Sequence, residues 1–122
     1  MKVAFYPGCV SKGACPELYV STKAIAEPLG LELEELTEAP CTGAGVLSEQ
    51  NPDLADSLNG LTLAMAESKG ADLMTICSTC QGVLSNHNYH LQKDEARRDK
   101  VNATIGDQGY TYGGKAKVKH LL

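Results

Sequence analysis

Asp72-Leu73-Met74-Thr75-Ile76-Cys77-Ser78-Thr79-Cys80-Gln81-Gly82 is the stretch that decides how the chain is read. Its first five residues form a short apolar run of strand type, and a cysteine pair spaced Cys-x2-Cys follows at once. Ser78 or Thr79 suits a helix N-cap, so the second cysteine falls one turn into a helix predicted to run through Gln81 to about Asp99. A strand that ends on a thiol, followed by a helix that begins on one, is a local arrangement suited to metal ligation or redox chemistry.

The same succession recurs on either side. Val3-Ala4-Phe5-Tyr6 reads as a buried strand stopped by Pro7-Gly8, and Cys9 comes next. Leu18, Tyr19, Thr22, Ile25, Ala26 and Leu29 recur at helical steps, with Pro16 at the start and Gly30 at the end. Leu31 to Leu36 alternates as a second strand, after which Pro40 and Cys41 follow. Asn51 is placed to cap a helix over 52–69, with Leu54, Leu58, Leu61, Met65 and Ala66 as its apolar face. Gln92 to Lys100 reads as a solvated charged surface, the glycines from Gly106 to Gly114 as a loose connection, and Lys117 to Leu121 as a fourth strand.

Strands alternating with helices predict an α/β fold: a small, open, mainly parallel sheet with helices on both faces. Ligands of such sheets gather at the carboxyl ends of the strands. Cys9, Cys41 and Cys77 each follow a predicted strand, so the pattern Cys-x31-Cys-x35-Cys-x2-Cys is expected to place its thiols on one rim. Cys15, six residues after Cys9, reads equally well as a fifth ligand or as a cysteine at a helix start with no ligand role. Gly8, Gly43, Gly45 and Gly82 flank the ligands, where a missing side chain lets backbone N–H groups approach sulfur closely.

The bulk properties narrow the class. The 122 residues allow one domain, 43% hydrophobic and 21% charged, with net charge -4. That charge, and the lack of a basic stripe with aromatics, argues against nucleic acid. No apolar run reaches the roughly 18 residues that span a bilayer. The opening residues enter a strand pattern directly, so a cytoplasmic location is expected, with any membrane association made through partner subunits. Five cysteines in such a compartment are not read as a disulfide framework.

His87 and His90 share a helix face, but His87 stands about 10 Å from Cys80 at 1.5 Å per residue, too far for a shared ion. They are read as exposed or packing histidines, and Tyr110 and Tyr112 as loop packing. Cys77 and Cys80 alone would also suit thiol–disulfide exchange, with Cys9 and Cys41 as a second pair. A non-catalytic module pinned by zinc is a further alternative.

Tyr6-Pro7-Gly8-Cys9, Cys41-Thr42-Gly43 and Cys77-Ser78-Thr79-Cys80 together resemble the cysteine-rich (CCG) domain found in heterodisulfide reductase and in related succinate dehydrogenase subunits. The resemblance covers essentially the whole chain. It implies an iron–sulfur domain of a multi-subunit oxidoreductase, with flavin or iron–sulfur partner subunits and a disulfide or quinone acceptor. It also implies two copies of the domain in one polypeptide, so residues 1–122 are expected to be the N-terminal one. The family's Cys-Cys-Gly element has Thr42 in place of its second cysteine here. Five thiolates hold an unusual [4Fe-4S] assembly in the family. The four of Cys9, Cys41, Cys77 and Cys80 suit a cubane [4Fe-4S] cluster or tetrahedral zinc.

Overall fold

The computed structural model describes residues 2–8, 13, 15–43 and 46–121, apart from the side chain of Ser48. In chain order the elements are β1 (Lys2–Tyr6), α1 (Pro16–Ala26), β2 (Glu32–Glu35), α2 (Val46–Gln50), α3 (Pro52–Ser68), β3 (Asp72–Thr75), α4 (Ser78–Lys93), α5 (Glu95–Ile105) and β4 (Val118–His120). A 3-10 turn, Gly106–Gln108, follows α5.

The four strands form one parallel sheet in the order β2-β1-β3-β4. Val3 lies opposite Leu33 on one side and Asp72 on the other, which sets the register of the central strand. Side chains alternate across the sheet. Ala4, Tyr6 and Leu73 enter the larger core with Leu63, Leu84, Leu91, Val101 and Ile105 of α3, α4 and α5. Val3, Phe5, Met74 and Ile76 form the smaller core on the opposite face, against Tyr19 of α1, Leu31, Leu33 and Leu121. Helices therefore cover both faces, as the alternation of strands and helices predicts.

α1 and α3 return to the sheet through the same turn. Leu31 N donates to Ala26 O and Gly30 N to Glu27 O, while Ala71 N donates to Ala66 O and Gly70 N to Glu67 O. Gly30 and Gly70 take positive φ at the corner of each turn, closing the helix on its own last carbonyls. The Asn51 cap forms as expected, its Oδ1 accepting from Leu54 N at 3.2 Å.

Three expectations change. The helix predicted from Ser78 to about Asp99 is two helices. Asp94 is extended at φ -114° and ψ 101°, and its Oδ1 accepts from Arg97 N at 3.2 Å. A short carboxylate that bonds the backbone ahead of it starts a new helix more readily than it continues an old one. α2 was not foreseen, because five residues carry too little periodicity to register. The inward face of α3 is also rotated from the leucine stripe: Ala55, Asp56, Asn59, Thr62, Leu63 and Ala66 are buried while Leu54 is 44% exposed. α3 is packed by both the sheet and two helices, so its closest contacts select small side chains. At Gly60, an added Cβ would lie 2.6 Å from Val101 Cγ1.

Candidate thiolate site

The site is built around Cys80. Cys77 occupies the N-cap of α4 without a side-chain cap hydrogen bond, so neither Ser78 nor Thr79 takes that role. Cys77 N donates to Thr75 Oγ1 at 3.3 Å, and Cys77 O accepts from Gln81 N at 2.9 Å. The helix end thus presents first-turn N–H groups and positive potential beside both sulfurs. Cys77 is half-buried and Cys80 is buried.

Two loops close on this helix end. Pro7 and Gly8, both buried, leave the end of β1. Gly8 has φ +83°, and a Cβ there would sit 3.4 Å from Cys80 Sγ and 3.6 Å from Cys77 Cβ. A side chain would fill the space against the sulfurs, which makes the glycine a requirement of close approach. The second loop is tied to the same strand end by Tyr6, whose hydroxyl donates to Pro40 O at 2.7 Å. Its Cys41 is exposed, with Sγ accepting from Gly43 N at 3.4 Å. Thr42 is 2% exposed; its hydroxyl donates to Cys80 Sγ at 3.9 Å and its carbonyl accepts from Asn59 Nδ2 of α3 at 3.1 Å. A Cβ at Gly43, φ +81°, would come within 2.6 Å of Leu47 Cβ.

Burial, first, then a hydrogen bond from Cys77 and the charges of Cys77 and Cys41, push the Cys80 thiol up to about 12, while the Thr42 hydroxyl pulls it down. Cys41, Cys77 and Cys80 therefore share one electrostatic environment. Cys15 carries a free thiol at the exposed head of α1, and no contact among the described residues joins it to these three. Gly82 has nothing within 4 Å of an added Cβ. Cys9 and Gly45 lie outside the described residues. Among the described residues no three Cys, His, Asp or Glu side chains stand together as a metal site, and Cys15, Cys41, Cys77 and Cys80 are free thiols. A cleft beside Cys41 runs along Pro7, Gly8, Glu35 and Leu36.

The histidines differ in their surroundings. His87 takes the packing role: it is buried, its Nδ1 2.7 Å from Asp56 Oδ1. Arg97 of α5 grips the same carboxylate in a fork, Nε to Oδ2 at 2.9 Å and Nη2 to Oδ1 at 2.7 Å. Burial opposes ionisation of Asp56 most strongly, but the bonds from Arg97 and His87 outweigh it and hold the carboxyl below the ordinary aspartate range. Arg97 thus departs from the solvated surface expected of residues 92–100. Tyr112 packs in the core, its hydroxyl 2.5 Å from Asn88 Oδ1. Asp56 and Asn59, missed in the sequence, have a signal there: two polar residues three apart within an otherwise apolar helical run.

The family model of the cysteine-rich domain, CCG, matches residues 3–85. The 8-methylmenaquinol:fumarate reductase membrane anchor subunit of Wolinella succinogenes is 34% identical over 119 residues, 98% of this chain and 41% of that protein. A heterodisulfide reductase subunit-like protein of Archaeoglobus profundus is 30% identical over 122 residues, 99% of this chain and again 41% of that protein. The chain thus spans about two-fifths of the length of these relatives. A hypothetical protein from Helicobacter pylori has the same fold, with TM-score 0.88 at 15% identity over 98% of this chain and 24% of that one. Among the described residues no helix is long and apolar enough to cross a membrane.

Proposed function

Because the chain belongs to the cysteine-rich (CCG) domain family, we propose that it is the cluster-holding domain of a multi-subunit oxidoreductase, with Cys9, Cys41, Cys77 and Cys80 as thiolate ligands of an iron–sulfur cluster. The observation that carries this reading is the convergence of Gly8, Thr42 and Cys77 on the Cys80 sulfur. Three chain segments far apart in sequence meet at one buried thiol, and Cys9 directly follows the Gly8 that lies against it. An all-sulfur donor set suits iron–sulfur or zinc and little else.

A bound cluster supplies one-electron transfer. The rest falls to the chain's own residues: Pro7, Gly8 and Thr42 exclude water from the Cys80 side, and the α4 N-terminus stabilises negative sulfur. Electrons would pass between a partner's flavin or iron–sulfur centre and a quinone or disulfide acceptor, as the names of the fumarate and heterodisulfide reductase relatives suggest. Residues 1–122 would be one of two such domains in a longer polypeptide, held in the cytoplasm and brought to a membrane by its partners. Gly8 and Gly43 would give the cofactor room; Cys15 and Gly82 stand further out as outer members of the site.

Zinc is the second reading, favoured by Thr42: a hydroxyl, not a thiol, fills the place of the family's fifth cysteine. Disulfide exchange by Cys77 and Cys80 is disfavoured, since a thiol raised to about 12 offers little thiolate to attack with.

Anaerobic purification with iron, sulfide and zinc analysis tests the reading. Brown protein with iron and acid-labile sulfide, lost on Cys41→Ser, is the expected result. Colourless protein with one zinc per chain, also lost in Cys41→Ser, moves the assignment to zinc. Metal-free protein with a titratable Cys77–Cys80 disulfide overturns both.

A further inference from the structure

Among the described residues, Thr42 reaches the Cys80 sulfur with a side-chain hydroxyl. It is held there from two sides. Asn59 of α3, 0% exposed, donates to the Thr42 carbonyl at 3.1 Å and to Ala55 O at 2.9 Å, so residue 42 is anchored to the core without help from any thiol. From the other side Gly43, at positive φ, turns the chain so tightly that Leu47 closes over it.

We propose that Thr42 is a positioning residue of the thiolate site: its hydroxyl donates to the Cys80 sulfur and occupies the buried slot beside it, holding the site to four thiolates. This rests on the thiolate site proposed above. The separation of 3.9 Å is long for a neutral thiol, which is a weak acceptor. A metal-bound thiolate carries the charge that makes such a bond strong, and no water stands in for a donor lost in a closed pocket. Groups that hydrogen-bond metal ligands in this way are worth about ten- to a hundredfold in metal affinity.

Cobalt(II) serves as the probe, because its tetrahedral thiolate complexes absorb in the visible and near ultraviolet while leaving the zinc geometry unchanged. The full chain, reduced and anaerobic, is titrated with cobalt(II) in competition with a chelator, alongside Thr42→Val and Thr42→Ser. Thr42→Val keeps the shape and the main-chain bond to Asn59 but loses the donor; Thr42→Ser keeps the donor. The expected result is affinity lower by about tenfold in Thr42→Val, with the sulfur-to-cobalt band moved to lower energy because sulfur loses its hydrogen bond. Thr42→Ser restores both. Thermal unfolding of the metal-free variants controls for folding. Equal affinity and an unmoved band in a folded Thr42→Val overturn the role of Thr42 and leave the site intact. Absence of any sulfur-to-cobalt band in the unsubstituted chain overturns the site itself.

Discussion

Asp56 is the side chain whose environment departs most from its sequence neighbourhood. It lies in the interior of α3, 4% exposed, between His87 and Arg97. A buried carboxylate without partners is costly, and breaking a buried pair by removing one member costs more than the pair contributes. Arg97→Leu is expected to destabilise the fold by about 1–3 kcal/mol, since Arg97 is partly solvated and His87 remains as a partner. Chemical denaturation midpoints at neutral pH measure this; a loss below about 0.5 kcal/mol would mean that His87 alone satisfies Asp56. Asp56 and Asn59 were legible as polar residues in an apolar run, yet their partners sit 31 and 17 residues away. Nothing in local spacing points across that distance.

At the scale of elements, α3 is the hub: it packs against the sheet, α4 and α5 at once. Gly60 sets its approach to α5, where Val101 would meet an added Cβ at 2.6 Å. Gly60→Ala is therefore expected to cost about 1–3 kcal/mol by overpacking, despite the better helix propensity of alanine. A thermal midpoint that rises instead would show that the interface opens freely. The break between α4 and α5 depends on Asp94, whose Oδ1 caps the second helix. Asp94→Ala should lower stability by about 0.5–2 kcal/mol, with circular dichroism showing no loss of helix away from the junction. Helix periodicity reads Ser78 to Asp99 as continuous because α4 and α5 share similar polar content. The cap that separates them is one short side chain.

For the molecule as a whole, acid is the expected point of failure. Asp56 and Asp72 both have carboxyls held below the ordinary range, Asp56 by Arg97 and His87 after burial is overcome, Asp72 by the Lys117 N–H first and then Lys119. A group with a depressed folded pKa stabilises above its unfolded value, about 3.9, and that stability is lost as pH falls through the lower folded value. Unfolding free energy should therefore hold near neutrality and fall below about pH 4, and the fall should be shallower in Asp72→Asn. A pH profile flat down to about pH 2 would contradict the burial and pairing of both carboxyls.

The cysteine spacing, the strand–helix alternation and the caps at Asn51, Gly30 and Gly70 stand in the sequence because each depends on residues within a few positions of one another. They determined the α/β class, the helices on both sheet faces and membership of a cysteine-rich family. The tertiary structure decided what long-range contact controls: which thiol is buried, that Gly8 and Thr42 reach the Cys80 sulfur, and that a carboxylate in α3 is neutralised from two other helices. Cys80 carries both halves of that division. Its position one turn into a helix follows from Cys-x2-Cys, but its burial depends on loops that begin 72 and 39 positions earlier, at Gly8 and Cys41. Only folding brings those residues to the same rim, because the parallel sheet sets the ends of its strands side by side whatever their separation along the chain.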